Sequence, residues 1–288
     1  MNKWVSIGKK LSIHPLFWLV MCLAIVTGHF ISLLILFIIV FVHELGHAFA
    51  ALFFSWRIKK ISLLPFGGVA EVDEHGNRSE LEEFILIIAG PLQHVWMLAA
   101  GFILFRLGWM SPYLYSEWMT FNYMVLFFNL LPIWPLDGGK LLLLGLSRFL
   151  SFQQAYQAIL AWSLVSLLIF HSCMLWLSPY HLNLWIIFSF LYFSIWMEWK
   201  KRHYTFMRFL MDRYYGKAST IKKLKTIYVQ ADEKLFSVLE KFQRGYKHPI
   251  VVVKNGKEIG SLDENEVLHA FFSYNMFSAR IDELLYAY

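Results

Sequence analysis

Cysteine is nearly absent from this chain. Among 288 residues only Cys22 and Cys173 occur, each inside an apolar run. That excludes a disulfide framework and a zinc site built on paired cysteines, and both read as packing residues. Charge is scarce as well, at 16% of residues, where soluble domains carry about a quarter. No small-residue cleavage site follows the first apolar run after Lys9 and Lys10, which argues against a cleaved signal peptide. No alternating barrel pattern appears, so only helices can carry this chain through lipid. Nor does any internal repeat or nucleic-acid-binding motif stand out.

What charge there is falls unevenly. Residues 1–199 hold 10 Lys/Arg and 10 Asp/Glu, whereas residues 200–288 hold 16 and 10, so the tail carries the whole net charge of +6. The chain therefore reads as an apolar part, 1–199, a basic connector, 200–217, and a small soluble domain, 218–288. Apolar runs lie near residues 13–29, 30–54, 80–107, 116–145, 155–177 and 182–199. A helix crossing lipid needs about 20 apolar residues, so six spans are expected. Lys3, Lys9 and Lys10, then Arg57, Lys59, Lys60 and Arg78, then Arg148 and Lys200-Lys201-Arg202 make alternate loops basic. By the positive-inside rule both termini face the cytoplasm. Within the long connection 56–78, Phe66-Gly67-Gly68 separates Ile61–Leu64 from Val69–Val72. That pattern reads as a hairpin at the membrane face or as an ordinary surface loop.

The second apolar run contains His43-Glu44-Leu45-Gly46-His47. Histidines four apart project from one face of a helix and can grip one zinc ion, while Glu44 lies on a neighbouring face where it can take a proton from water. Ionisable groups within a span are costly and default to function. A third ligand is needed, leaving the fourth position open. The fourth run offers one acid, Asp137, within Asn129-Leu130-Leu131-Pro132-Ile133-Trp134-Pro135-Leu136-Asp137-Gly138-Gly139. Its prolines and glycines break the helix, and a broken helix at membrane depth is tolerated beside a cavity. Asp137 can alternatively cap a helix or pair with Lys140.

HELGH in an apolar helix, followed about ninety residues later by NLLPIWPLDGG, resembles the site-2 protease family of intramembrane zinc metalloproteases. Ala89-Gly90-Pro91-Leu92 is similar to that family's small-residue motif. The resemblance implies peptide-bond hydrolysis in a membrane-associated protein, with Glu44 as catalytic base and one zinc per chain on His43, His47 and Asp137. Asn129 would hold the substrate backbone; the alternative is a hydrogen bond to a neighbouring helix. An unwound substrate segment could pair with the edge of the Phe66-Gly67-Gly68 hairpin, beside a groove shaped by Pro132 and Pro135. Where relatives carry Asn after the Gly-Pro pair, this chain has His94, which either contacts the site or is a packed histidine. The branch with a similar tail acts in sporulation on a pro-sigma factor, at the membrane around the forespore facing the mother cell, and leaves open a membrane inhibitory partner.

In the tail an amphipathic helix, Leu235–Gln243, precedes the strand Pro249–Val253, an Asn255-Gly256 turn, a strand Glu258–Leu262 and a helix Asn265–Phe272. That order resembles a single CBS motif. The resemblance implies ATP binding or a purely structural tail, and a homo-oligomer or the membrane half to cover the lone motif's apolar face. The basic stretch 200–216 suits anionic lipid. The alternative to a protease is a CBS-regulated metal transporter, which has no need of Glu44 between the histidines.

Overall fold

The computed structural model describes residues 11–13, 21–22, 24–64, 67–73, 79–177, 182–216 and 223–285. The chain forms two compact units. The first comprises residues 1–74, 81–141 and 170–191; the second comprises 75–80, 142–169 and 192–288.

The first unit is built on α1 (Phe30–Phe53), α2 (Glu80–Arg106) and α3 (Pro112–Asn129). With 24 residues free of proline, α1 is about 36 Å long, enough to cross a hydrocarbon core. Its buried side chains Ile35, Ile39, His43, His47 and Ala51 recur every fourth residue, forming one stripe. Ile35 and Ile39 pack with Met97 of α2 and Val125 of α3. Trp118 of α3 donates its indole N–H to the Met97 carbonyl at 2.9 Å, tying α2 to α3. Ser111 caps α3 by accepting from the Leu114 amide, with Pro112 at the first helical position.

A three-stranded sheet belongs to the same unit. Its strands are β1 (Leu11–Ile13), β2 (Arg57–Leu64) and β3 (Gly67–Asp73), with β2 central, parallel to β1 and antiparallel to β3. The expected hairpin exists with longer strands, Leu64 opposite Gly67 and Leu63 opposite Gly68. Phe66 lies outside the described residues. Strand β1 was not expected from the apolar pattern.

The run 116–145, read as one span, is divided. Helix α3 ends at Asn129, residues 130–136 form turns, and α4 begins at Asp137 and runs to Leu146. The next two helices are α5 (Phe152–Leu177) and α6 (Leu182–Tyr215). Among the described residues α1, α2 and α5 are long and apolar enough to cross a membrane. Large apolar side chains such as Val95, Trp96, Trp162 and Ile169 remain exposed along α2 and α5, as a lipid-facing surface requires. Cys22 and Cys173, read from the sequence as packing residues, are exposed as well. The error has a simple source: an apolar run in a membrane helix covers lipid-facing and protein-facing positions alike.

In the second unit, β4 (Ile227–Gln230) pairs parallel with β5 (Ile250–Lys254), which pairs antiparallel with β6 (Lys257–Leu262). Asn255 and Gly256 join β5 to β6 with φ of 51° and 76°, the two left-handed residues that a tight hairpin of matching twist demands. Helices α7 (Leu235–Leu239), α8 (Glu264–Phe272) and α9 (Ile281–Leu285) complete it. Asp263 and Glu266 form a reciprocal capping box at the start of α8.

Residues 200–215, read from the sequence as part of a linker, continue α6 without a break. Phe206, Phe209 and Leu210 of α6 and Phe152 of α5 are buried in one core with Val229, Leu239, Phe242, Ile250, Val252 and Phe271. Phe152 and Phe209 stack at 4.1 Å between ring centroids. Arg213, which the composition placed in a headgroup-facing basic stretch, is buried. Its Nε and Nη2 donate to the two Glu264 carboxylate oxygens at 2.7 and 3.0 Å, and its Nη1 donates to the Gln243 carbonyl at 2.8 Å. Nη2 also donates to the Tyr246 carbonyl. A planar guanidinium can satisfy all of these acceptors at once, which is why this basic residue tolerates burial.

Candidate metal centre

His43 and His47 sit one turn apart on α1 and are buried, as is Asp137 at the first position of α4. Asp137 Oδ2 lies 3.1 Å from His43 Nε2 and 3.1 Å from His47 Nε2, and the two Nε2 atoms are 3.2 Å apart. Three potential ligand atoms therefore form a nearly equilateral triangle, 94 residues of sequence being bridged by the fold. A tetrahedral zinc ion with ligands at about 2.0–2.1 Å separates neighbouring donor atoms by about 3.3 Å. The triangle fits that ion closely.

The partners on the far side of each ring strengthen the match. His47 Nδ1 faces the Leu86 carbonyl at 2.8 Å and must donate to it, so a neutral His47 carries its lone pair on Nε2. His43 Nδ1 faces His94 Nε2 at 3.2 Å. A neutral His47 thus turns a lone pair towards a carboxylate oxygen, a repulsive pair that a cation bound between them would relieve.

Backbone space sets this geometry. A Cβ on Gly90 would stand 2.2 Å from His47 Nε2 and 2.8 Å from His43 Nε2, so a side chain there would intrude on both ligand nitrogens. At the start of α4, a Cβ on Gly138 would meet the Leu130 and Leu131 carbonyl oxygens at 2.2 and 2.4 Å. A Cβ on Gly139 would meet the Ile133 carbonyl at 2.6 Å. The glycine pair thus lets turns 130–133 fold back against α4 and hold Asp137 towards α1. Of the alternatives the sequence left open for Asp137, the pairing with Lys140 is present: Oδ1 accepts from Lys140 Nζ at 3.0 Å, while Oδ2 faces the histidines.

Glu44 is buried on α1 beside His43. Asn129 ends α3 and donates from Nδ2 to the Val125 carbonyl of its own helix at 3.0 Å, rather than to a neighbouring helix. Pro135 lies in the 130–136 turns, where the Trp134–Pro135 peptide is cis. Gly67 and Gly68 open β3. His94 is fully buried and contacts His43 directly, so it is both a hydrogen-bonded histidine and part of the site's surroundings. Asn122 was missed. It accepts from His94 Nδ1 at 3.0 Å, and its signal was there to be read as a lone amide in the apolar stretch Phe121–Phe128.

Two histidines and an aspartate meeting between apolar helices make a candidate metal site of the intramembrane kind, and comparison with known proteins gives its class. Residues 31–113 match Peptidase family M50. The chain is 46% identical over all 288 residues to stage IV sporulation protein FB of Bacillus subtilis, covering 100% of both chains. It is 34% identical over 149 residues to a zinc metalloprotease of Methanocaldococcus jannaschii, covering 50% of this chain and 39% of that one. The solved structure of a site-2 protease from Methanocaldococcus jannaschii superposes with a TM-score of 0.54 at 29% identity, over 65% of this chain and 89% of that one. The chain belongs to peptidase family M50, the site-2 proteases, and is an intramembrane metalloprotease. The transporter alternative finds no support in these relatives.

Proposed function

We propose that His43, His47 and Asp137 hold one zinc ion per chain and that Glu44 is the catalytic base for hydrolysis of a peptide bond in a membrane-associated protein. The observation that carries this reading is the triangle of ligand atoms at 3.1–3.2 Å. When bound, zinc supplies a Lewis acid for the scissile carbonyl and lowers the pKa of water towards neutrality. Glu44 takes the proton from the attacking water and returns it to the departing amine. Glu44 follows His43 on α1 and is buried there.

A helical substrate must unwind before its carbonyl can be attacked. One edge of β2 is taken by β1, which leaves β3, opened by Gly67 and Gly68, as the outer strand of the hairpin. An extended substrate segment adds to that edge, exchanging helix hydrogen bonds for strand hydrogen bonds. Asn129 holds the substrate backbone from the end of α3, and Pro135 shapes the groove wall.

The likeness to a sporulation protein over the full chain supports an inactive pro-sigma factor as substrate, at the membrane around the forespore. Six spans with both termini in the cytoplasm follow from the alternation of basic loops. On this reading residues 1–199 are the protease domain and 218–288 a CBS-like regulatory domain, with residues 200–215 an extension of α6 rather than a free connector. The strand-turn-strand-helix order of β5, β6 and α8 supports the CBS-like assignment, and with it ATP as ligand. Exposed Tyr228 and Ile259 on its strands suit a second copy of the chain, and a membrane inhibitory partner would act on the protease domain.

The test is co-expression with membrane-tethered candidate precursors. Glu44→Gln retains zinc and loses cleavage, whereas Asp137→Ala loses both. Cleavage that survives Glu44→Gln would refute the base assignment.

A further inference from the structure

We infer that His94 and Asn122 are positioning residues, a relay that holds His43 in the one neutral tautomer able to bind metal. The inference rests on the ligand set proposed above and concerns residues that set leaves out.

The relay can be read from its outer end. Asn122 is fully buried on α3. Its Nδ2 donates to the Trp118 carbonyl at 2.8 Å, a partner that can only accept, which fixes the amide orientation and turns Oδ1 towards His94. Oδ1 can only accept, so His94 donates to it from Nδ1 at 3.0 Å. A neutral imidazole with its proton on Nδ1 carries a lone pair on Nε2. That lone pair faces His43 Nδ1 at 3.2 Å, so His43 donates from Nδ1. The lone pair of His43 is thereby placed on Nε2, the atom 3.1 Å from Asp137 Oδ2. One carbonyl on α3 thus determines, through two side chains, which nitrogen of His43 is free for zinc.

The two ligand histidines reach the same state by different routes. His47 has the Leu86 backbone carbonyl behind it at 2.8 Å. His43, one turn earlier on α1, has His94 of α2 at its Nδ1 instead. A histidine that merely filled space would need neither the buried amide behind it nor a metal ligand before it. Partners of this kind behind ligating histidines change metal affinity by about 10–100-fold when removed.

The experiment uses the full-length protein in detergent, with zinc affinity read by chelator competition and histidine tautomers by 15N NMR after histidine labelling. In the parent, His94 is expected as the neutral Nδ1–H tautomer. His94→Leu lowers zinc affinity by about 10–100-fold and shifts the visible spectrum of the Co2+-loaded protein, because His43 is no longer held. His94→Gln, whose Oε1 can accept from His43, recovers most of the affinity, and Asn122→Leu, which removes the acceptor behind His94, lowers it. An Nε2–H tautomer of His94 in the parent overturns the relay whether or not the leucine variant folds. A folded His94→Leu protein that binds zinc as the parent does overturns it too. His43→Ala separates the two readings: if that variant keeps its zinc, the ligand set itself is wrong; if it loses zinc while His94→Leu does not, only the relay is.

Discussion

Lys140 Nζ holds Asp137 Oδ1 at 3.0 Å, one turn into α4, and so leaves Oδ2 alone facing the two histidines. Two effects of Lys140 oppose each other. Its charge repels a bound cation, while its hydrogen bond fixes the carboxylate. The lysine side chain is 41% exposed, so the repulsion is screened and worth little. Lys140→Met is therefore expected to weaken zinc retention, by about tenfold, and Asp137→Ala to weaken it far more. Chelator competition on both variants measures the order; a Lys140→Met protein that binds zinc more tightly would reverse the assignment.

Gly90→Ala separates helix stability from metal binding. Alanine favours the helix by about 1 kcal/mol relative to glycine, yet its methyl group would lie 2.2 Å from His47 Nε2. The variant is expected to keep its helical circular dichroism and lose zinc and proteolysis together. Metal analysis of the purified protein decides it.

Arg213→Ala is expected to destabilise the second unit by about 3–5 kcal/mol, the cost of leaving one partner of a buried ion pair uncompensated. Both side chains of the Arg213–Glu264 pair are at most 5% exposed. Replacing both with apolar residues, Arg213→Met with Glu264→Leu, should recover part of that loss. Hydrogen exchange of residues 227–285 in the full chain reports both effects, and protection unchanged in Arg213→Ala would contradict the burial argument.

Burial pushes the His248 imidazole below its ordinary range, and the Arg213 guanidinium adds to this. His248 Nδ1 donates to the Lys225 carbonyl at 2.8 Å while Nε2 accepts from the Gln243 amide at 2.9 Å, a pattern only the neutral ring can satisfy. The unfolded chain takes up a proton near pH 6.5 and the folded chain only at lower pH, so the unfolded state binds more protons in between. Stability of the second unit is thus full above about pH 6.5 and falls as pH drops through the folded value, by at most about 1.4 kcal/mol per pH unit. Exchange protection measured between pH 7.5 and 5 tests the slope, which His248→Gln should flatten.

The metal motif was legible because chemistry forces it into view. Ionisable residues in an apolar run have few reasons to be there, and four-residue spacing on a helix needs no tertiary knowledge. The Asn255-Gly256 hairpin was equally legible, since left-handed backbone angles restrict the residue choice at that turn. Other features were hidden for stated reasons. The continuation of α6 through residue 215 looked like a linker because a basic amphipathic helix and a basic connector share a composition, and only packing against Phe242 and Phe271 tells them apart. Strand β1 is three residues long, too short for any period to declare itself.

HELGH and the distant aspartate, by their residue types and spacing, pointed to a metal site in an apolar helix, because zinc's preference for nitrogen and oxygen donors and the cost of charge in lipid leave few other uses for them, and the resemblance of those motifs to the site-2 proteases supplied the class of chemistry. The fold alone decided which nitrogen of each histidine turns towards Asp137, that Asp137 turns one oxygen rather than two to the histidines, and that His94 and Asn122 stand behind His43. Those choices depend on hydrogen-bond partners drawn from three helices, and direction in a hydrogen bond is a property of atoms meeting in space, which residue order does not encode.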